Sequence, residues 1–360
     1  MSSARIWREP VRGGYPEPWL LSLPGRERLE RWRLAQAPTP PLFHLTGARP
    51  TGVGDGTADA EMPATGWLTN SAGLIGGGTL AILADIAFGC SVETRVPAAT
   101  PYTTAELSLT FVRPARPGGM LSAHGQAIHV GRRVGVSEVF VADAAKTLIA
   151  HGTSRLSILR AIDGLPEPPD PPPAFELPQF EAPDPYLREP PEATLPDEAW
   201  TALTGLEIVR RQIAGELPAP PIHALTGMAP TEVSDGRATA VMPASEWLNS
   251  PANRLQGGAI TMLADFTMLI AALTTAPAGV AVAGLDLKVN FLRPVSGDGR
   301  ELTAHARVEH SGRTLAITRA RVDNADGKPV MLATSSAMYL PGHSARLEET
   351  GELSAADARQ

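Results

Sequence analysis

The chain has 360 residues, 43% of them hydrophobic, and a formal net charge of -7 at pH 7. This length allows two domains, the acidic charge gives no basic field for nucleic acid, and no apolar run reaches membrane-spanning length. The single cysteine, Cys90, excludes an internal disulfide and indicates a reducing, cytoplasmic setting, and the histidines lack metal-ligand spacing, so that we expect neither metal nor cofactor.

The first half of the chain predicts a short helix, a strand, a long buried helix and four further strands. The short helix covers Arg26–Ala35, and the long helix runs from Gly76 to about Arg95 and is apolar nearly all round, which indicates burial on every side. Such a helix needs a sheet that curls around it. The predicted strands are Thr51–Met62 with a possible turn at Asp55-Gly56, Thr103–Val112, Leu121–Val130, Arg133–Ala142 and Thr147–Leu159.

The second half repeats the first when the sequence is shifted by 180 positions. LTGARPTGVGDGTADAEMPATGWL from Leu45 aligns without a gap with LTGMAPTEVSDGRATAVMPASEWL from Leu225, and LSLTFVRP from Leu107 aligns with LKVNFLRP from Leu287. The match spans roughly 110 residues per copy, too long for a solenoid repeat, so each copy is predicted to be a domain. We expect an N-terminal extension with the first domain in residues 1–164 and the second domain in residues 197–342.

Residues 165–196 between the copies are crowded with proline and acidic residues, which excludes a core helix or strand. We interpret them as a semi-extended connector along the outside of the protein, in preference to a floppy linker. Four apolar residues look like anchors onto a surface: Phe175, Leu177, Phe180 and Tyr186. The polar residues 343–360 are predicted to be a loose tail.

Asp85 and Asp265 occupy matching positions, each as the only acid in the apolar part of a long helix. Burying an unpaired carboxylate is costly. A surface position or a buried ion pair would be a structural explanation, but no Lys or Arg lies within helical reach of Asp85. We favour function, because a partly desolvated carboxylate has a raised pKa and is a better base or nucleophile.

Glycines open both long helices, as Gly76-Gly77-Gly78 and Gly257-Gly258. A helix N-terminus offers unpaired N–H groups, and glycine lets a substrate carbonyl approach them as in an oxyanion hole; tight packing is the structural alternative. Gly77 and Asp85 lie about 12 Å apart along a helix axis, so one carbonyl cannot touch both. We therefore expect two antiparallel helices, with the acid of each serving the glycines of the other.

These features together resemble the hotdog fold, and more narrowly the PaaI-like acyl-CoA thioesterases. The features are a glycine pair at the helix start, an acid eight residues after its first member, and a strand that ends in FVRP or FLRP. The resemblance covers nearly all of both copies. It implies an α+β fold of two tandem hotdog domains, each an antiparallel sheet wrapped around a long central helix. It also implies that the cross-subunit sites of a hotdog dimer become cross-domain sites here.

The first implied site joins Asp85 to Gln256 and Gly257. The family also has a hydroxyl residue near the start of the strand before the FxRP motif, which implies Thr104, with Thr103 as the other possibility. Gln256 stands where the family has histidine, and Ser250 stands where it has asparagine.

The second implied site joins Asp265 to Asn70 and Gly77. Asn70 has the family's spacing, but Gly76 replaces the histidine, and Ala283 or Gly284 stands at the hydroxyl position. We expect the first site to carry turnover and the second to be slow or vestigial.

The implied activity is hydrolysis of an acyl-CoA or acyl-carrier thioester, in which Asp85 activates a water molecule or attacks directly. Arg132, Arg133 and Arg313 follow turn glycines and could meet the phosphates of coenzyme A, although solvated turn arginines are commoner. The alternative is a non-catalytic acyl-CoA or lipid-binding protein, since the family histidine is absent from both copies. Because hotdog proteins often pair further, we also expect a homodimer of the chain.

Overall fold

A computed structural model of the chain describes residues 5–170 and 180–342. Two halves of the same architecture follow one another, each with a long central helix and antiparallel strands. The first half contains α1 (Gly25–Arg33), α2 (Pro41–Thr46), β1 (Arg49–Val53), β2 (Thr57–Pro63), α3 (Gly77–Glu93), β3 (Tyr102–Phe111), β4 (Met120–Val130), β5 (Val134–Ala142) and β6 (Leu148–Ile158). The second contains α4 (Asp197–Ala202), α5 (Gly205–Ile213), α6 (Pro221–Thr226), β7 (Ala229–Ser234), β8 (Arg237–Pro243), α7 (Gly257–Leu273), β9 (Val280–Gly284), β10 (Asp286–Phe291), β11 (Glu301–Ser311), β12 (Leu315–Asp323) and β13 (Pro329–Pro341).

Within these residues all thirteen strands belong to one antiparallel sheet. Its order is β1-β2-β4-β5-β6-β3-β10-β13-β12-β11-β8-β7, and β9 also pairs with β13. The halves join where β3 pairs with β10, with Leu109 opposite Leu287 and Leu107 opposite Val289. The predicted α+β architecture of two tandem domains is confirmed.

The two long helices lie against each other inside the sheet. Every residue of α3 from Gly78 to Glu93 is buried, as its all-round apolar sequence predicts. The start of α3 at Gly78 lies against Met262 in the middle of α7, and the start of α7 at Gly258 lies against Ile82 in the middle of α3. The helices are therefore antiparallel, and each N-terminus meets the middle of the other helix.

The predicted strand Thr51–Met62 is two strands, β1 and β2, which pair as a hairpin. Gly56 in the turn has a φ of +74°, a conformation that glycine adopts without strain. The second half differs from the first at the position of β3. There the strand is interrupted at Leu285 and forms the two strands β9 and β10. Among the helices of the described ranges, none has the length and hydropathy of a bilayer-spanning segment.

Two arms cross between the halves: an N-terminal arm (residues 5–24) and a linker arm (residues 180–196). The indole N–H of Trp247 in the second half donates to the backbone oxygen of Glu9 at 3.1 Å, and that of Trp67 in the first half donates to the oxygen of Arg188 at 2.8 Å. An Arg188–Glu9 ion pair with an N–O distance of 2.7 Å ties the arms together. The N-terminal arm therefore contacts the second half, and the linker arm contacts the first half.

Two of the four expected anchors fall in the linker arm. The ring of Tyr186 lies beside Gly47 at the end of α2. The guanidinium of Arg12 lies 4.7 Å from the ring centroid of Phe180. Phe175, Leu177 and the tail 343–360 lie outside the described residues.

Candidate active site

The paired glycines at the start of each long helix have two different tasks. A Cβ on Gly258 would lie 2.6 Å from the Cα of Ile82, and one on Gly78 would lie 2.6 Å from the Cα of Met262, so the second glycine of each pair permits the close contact of the helices. A Cβ on Gly257 would instead lie 2.9 Å from Oδ2 of Asp85. The first glycine of α7 thus leaves room for a carboxylate from the other half.

Asp85 is 8% exposed and makes its hydrogen bonds to neutral donors. The hydroxyl of Thr104 donates to its Oδ1 at 2.9 Å, and the N–H of Gly258 donates to its Oδ2 at 3.2 Å. Burial raises the pKa of Asp85, while the Thr104 hydroxyl and the amides of Gly258 and Gly257 oppose that rise. The buried ion pair that would have explained this acid structurally is not what holds it.

Thr104, and not its exposed neighbour Thr103, faces the carboxylate. The register of β3 against β6 shifts between Thr104 and Glu106, which is a bulge. Bulges reorient side chains and are common beside active sites.

Gln256 is the N-cap residue of α7 and is 6% exposed. Its side-chain N–H donates to the backbone oxygen of Ile82 at 2.9 Å, one turn before Asp85. Its Oε1 is buried and accepts no hydrogen bond from the described residues. The first site, which we define as Asp85, Thr104, Gln256, Gly257 and Gly258, therefore holds a buried acceptor that is not used by the described residues.

The second site is built from Asp265, Gly77 and Gly78 and is poorer in partners. The N–H of Gly78 donates to Oδ2 of Asp265 at 2.7 Å, but Oδ1 is buried and without a hydrogen bond within the described part of the chain. Burial raises the pKa of Asp265 to about 6, with the Gly78 amide opposing. Gly284, at the end of β9, stands where the first half has Thr104 and offers no hydroxyl.

Asn70 does not join Asp265 through its side-chain oxygen, which instead accepts from the amides of Ala72 at 2.9 Å and Leu74 at 3.2 Å. Its counterpart Ser250 accepts from Ala252 and donates to the oxygen of Arg254. Both residues close the loop before a long helix. In this structure Asn70 thus shapes the approach to α3.

The three predicted phosphate-binding arginines are exposed on turns. Arg132 and Arg133 lie between β4 and β5, and Arg313 lies between β11 and β12. Arg133 precedes the part of β5 where Gly135 pairs with Leu156, which lies next to Thr104 in the sheet. The turn between β4 and β5 thus lies two strands away from Thr104 of the first site.

A buried polar cluster next to the first site was missed by the sequence reasoning. The hydroxyl of Tyr102 donates to Oε2 of Glu93 at 2.9 Å, and Nε of Arg28 lies 2.9 Å from Oε1 of Glu93. A comparison of the copies could have found it, because Leu273, Val282 and Ile208 stand at the matching positions.

Comparison with known proteins agrees with this architecture. Residues 72–150 and 253–331 each match the sequence profile of the thioesterase superfamily. A protein of Halobacterium salinarum named "Putative esterase" is 32% identical over 130 residues, which are 33% of this chain and 85% of that protein.

Two solved structures are similar to this chain to different extents. The tesB protein of Mycobacterium avium subs paratuberculosis covers 84% of this chain and 98% of its own at 14% identity, with a TM-score of 0.53. The PaaI protein of E. coli, from the phenylacetic acid degradation operon, covers 38% of this chain and 95% of its own at 21% identity, with a TM-score of 0.34.

Proposed function

Because the chain belongs to the thioesterase superfamily as a tandem pair of hotdog domains, we propose that it hydrolyses an acyl-CoA thioester at the first site. The observation that carries this proposal is the placement of Asp85. A carboxylate from the first half lies at the N-terminus of a helix from the second half and is held by a hydroxyl and an amide, with a raised pKa. A group of this kind is suited to general-base catalysis near neutral pH.

In the proposed reaction Asp85 removes a proton from water while the water oxygen bonds to the thioester carbonyl carbon. The carbonyl oxygen becomes an oxyanion near the N-terminus of α7, where the Gly257 N–H and the positive end of the helix dipole stabilise it. Collapse breaks the carbon–sulfur bond, and the thiolate of coenzyme A takes the proton from Asp85. The products are a carboxylic acid and a free thiol.

Thr104 and Gln256 have positioning roles in this scheme. The Thr104 hydroxyl holds one carboxylate oxygen, so that the other faces the start of α7. The Gln256 side chain is fixed by the Ile82 oxygen, and its unused Oε1 is an acceptor for a proton of the attacking water. Direct attack by Asp85, which would give a mixed anhydride, is the competing route. Single turnover in ¹⁸O-water with mass analysis of the protein tests it, because water attack on the Asp85 carbonyl of the anhydride places ¹⁸O in the Asp85 side chain, whereas the general-base route places ¹⁸O only in the released acid.

The experiment is a free-thiol assay over a panel of acyl-CoAs with two matched variants, Asp85→Asn and Asp265→Asn. These replace the same helix position in the two halves. We expect Asp85→Asn to lose most of the activity and Asp265→Asn to keep most of it. Equal loss in both would contradict the assignment to the first site, and tight acyl-CoA binding without thiol release by the parent would identify a binding protein.

Coenzyme A carries phosphates that the acidic chain must attract locally. We propose that Arg132 and Arg133 do so for the first site and Arg313 for the second. Replacing Arg132 and Arg133 with Ala should raise KM for acyl-CoA and leave KM unchanged for an acyl-pantetheine, which has no phosphate. A cytoplasmic location and a homodimer stay predictions.

A further inference from the structure

The two halves differ in polarity along one seam, and that seam begins at the first site. It runs between α3 and β3: Asp85 meets Thr104, and one helical turn further on Gly89 meets Tyr102, whose hydroxyl lies 3.0 Å from where a Cβ of Gly89 would be. Glycine in the interior of a helix is unfavourable, so its presence at position 89 calls for a reason. Here the missing side chain gives the Tyr102 ring its place against the helix.

Tyr102 is fixed in that place from behind. Its hydroxyl donates to Glu93, and Glu93 pairs with Arg28 of α1. Arg28 is 3% and Glu93 is 7% exposed, so that two charges are buried to hold one phenol. Burial raises the pKa of Tyr102 well above its usual value, which keeps the phenol protonated and donating.

The second half shows that the fold does not need this polar cluster. At the positions of Gly89, Tyr102 and Glu93 it has Leu269, Val282 and Leu273, which pack as an apolar set. The helix contact behind them is the same in both halves, because Gly25 lies against Glu93 as Gly205 lies against Leu273. A purely structural role would be met by the apolar set in both halves.

Building on the proposed function, we infer that Tyr102 is the end wall of the acyl pocket and limits the first site to short acyl groups. A thioester carbonyl beside Asp85 and the start of α7 has two substituents. The coenzyme A part is large and charged and must leave toward solvent, which directs the acyl group inward along the α3–β3 seam. Gly89 lies four residues after Asp85, about 6 Å along the helix axis, and this limits the acyl group to about the length of butyryl.

The test is a chain-length profile of kcat/KM with acetyl-, butyryl-, hexanoyl- and lauroyl-CoA, for the parent and two variants. Tyr102→Leu opens the wall, and we expect it to raise the ratio of hexanoyl to butyryl turnover by at least about tenfold. Tyr102→Phe keeps the ring but removes the hydroxyl that Glu93 holds, so that we expect it to raise the same ratio less than Tyr102→Leu does. A folded Tyr102→Leu protein with the parent profile would overturn the inference while leaving the thioesterase activity standing.

Gly89→Ala provides a second test of the end wall if Tyr102→Leu does not fold. Gly89→Ala places a methyl group between α3 and β3, 3.0 Å from the Tyr102 hydroxyl, and so narrows the seam one helical turn beyond Asp85. We expect it to shorten the longest acyl group that is hydrolysed, and an unchanged limit would reject the end wall. Absence of thiol release from every ester by the parent would overturn both this inference and the proposed function.

Discussion

Replacing Thr104 with valine tests whether Asp85 is the catalytic base. Valine keeps the shape of threonine and removes the hydroxyl that donates to Oδ1 of Asp85 at 2.9 Å. A hydrogen bond to a charged group contributes about 1.5–3 kcal/mol. One pKa unit corresponds to about 1.4 kcal/mol, so the pKa of Asp85 should rise by about one to two units in the variant.

The direction of the expected pH shift follows from the charge of Asp85 in its active form, which is the carboxylate. Burial already raises the pKa of Asp85, and the Thr104 hydroxyl opposes that rise by stabilising the carboxylate. A general base works only when it is deprotonated, so activity falls as the pH drops through this pKa. In Thr104→Val the acid limb of the kcat/KM profile should therefore move to higher pH by about one to two units.

The assay is thiol release from one acyl-CoA, measured across the pH range in which the protein stays folded. Thr103→Val is the matched control, because Thr103 is the exposed neighbour on the same strand. Its acid limb should coincide with that of the parent. An unshifted acid limb in a folded Thr104→Val protein would refute the role of Asp85 as the base.

Three further predictions concern stability. Because burial raises the pKa of Asp265 to about 6, the folded state holds a proton that the unfolded state releases. The stability that this proton contributes is present below the unfolded pKa and is lost as the pH rises to about 6. Between pH 4 and 7, urea unfolding should therefore show the unfolding free energy of Asp265→Asn rising relative to that of the parent by on the order of 3 kcal/mol. Gly258→Ala should lower the unfolding free energy by about 1–3 kcal/mol because the helices must separate, whereas Gly76→Ala, whose Cβ would meet nothing closer than 3.6 Å, should change the melting temperature little. A double-mutant cycle on the partly exposed Arg188–Glu9 pair should give a coupling energy of about 1 kcal/mol or less, and added salt should reduce it.

The repeat and the hydrophobic pattern predicted most of the fold. The long helix was expected over Gly76 to about Arg95 and spans Gly77–Glu93, since a helix that is apolar on every side has few other stable placements. The meeting of Asp85 with the opposite glycines could be anticipated because the length of one helix excludes contact within it.

The Tyr102–Glu93–Arg28 cluster shows where this reasoning stops. A search for charge partners of a helical acid extends only to residues three and four positions away, whereas Arg28 is distant in sequence from Glu93 and meets it through the packing of α1 on α3. The crossed arms were missed for a related reason. Arg8-Glu9-Pro10 recurs as Arg188-Glu189-Pro190 at the same spacing of 180, but the surrounding prolines led to an interpretation as linker.

Fusion of the two copies explains how the two sites could become different. In a symmetric dimer of single domains, a change at the position of Thr104 would alter both composite sites at once. In this chain the first site takes Asp85 and Thr104 from one half and Gln256 and Gly258 from the other, and Gly284 stands at the matching hydroxyl position of the second half without affecting this set. Each half therefore keeps the residues that the first site needs from it, and neither half alone holds a complete site.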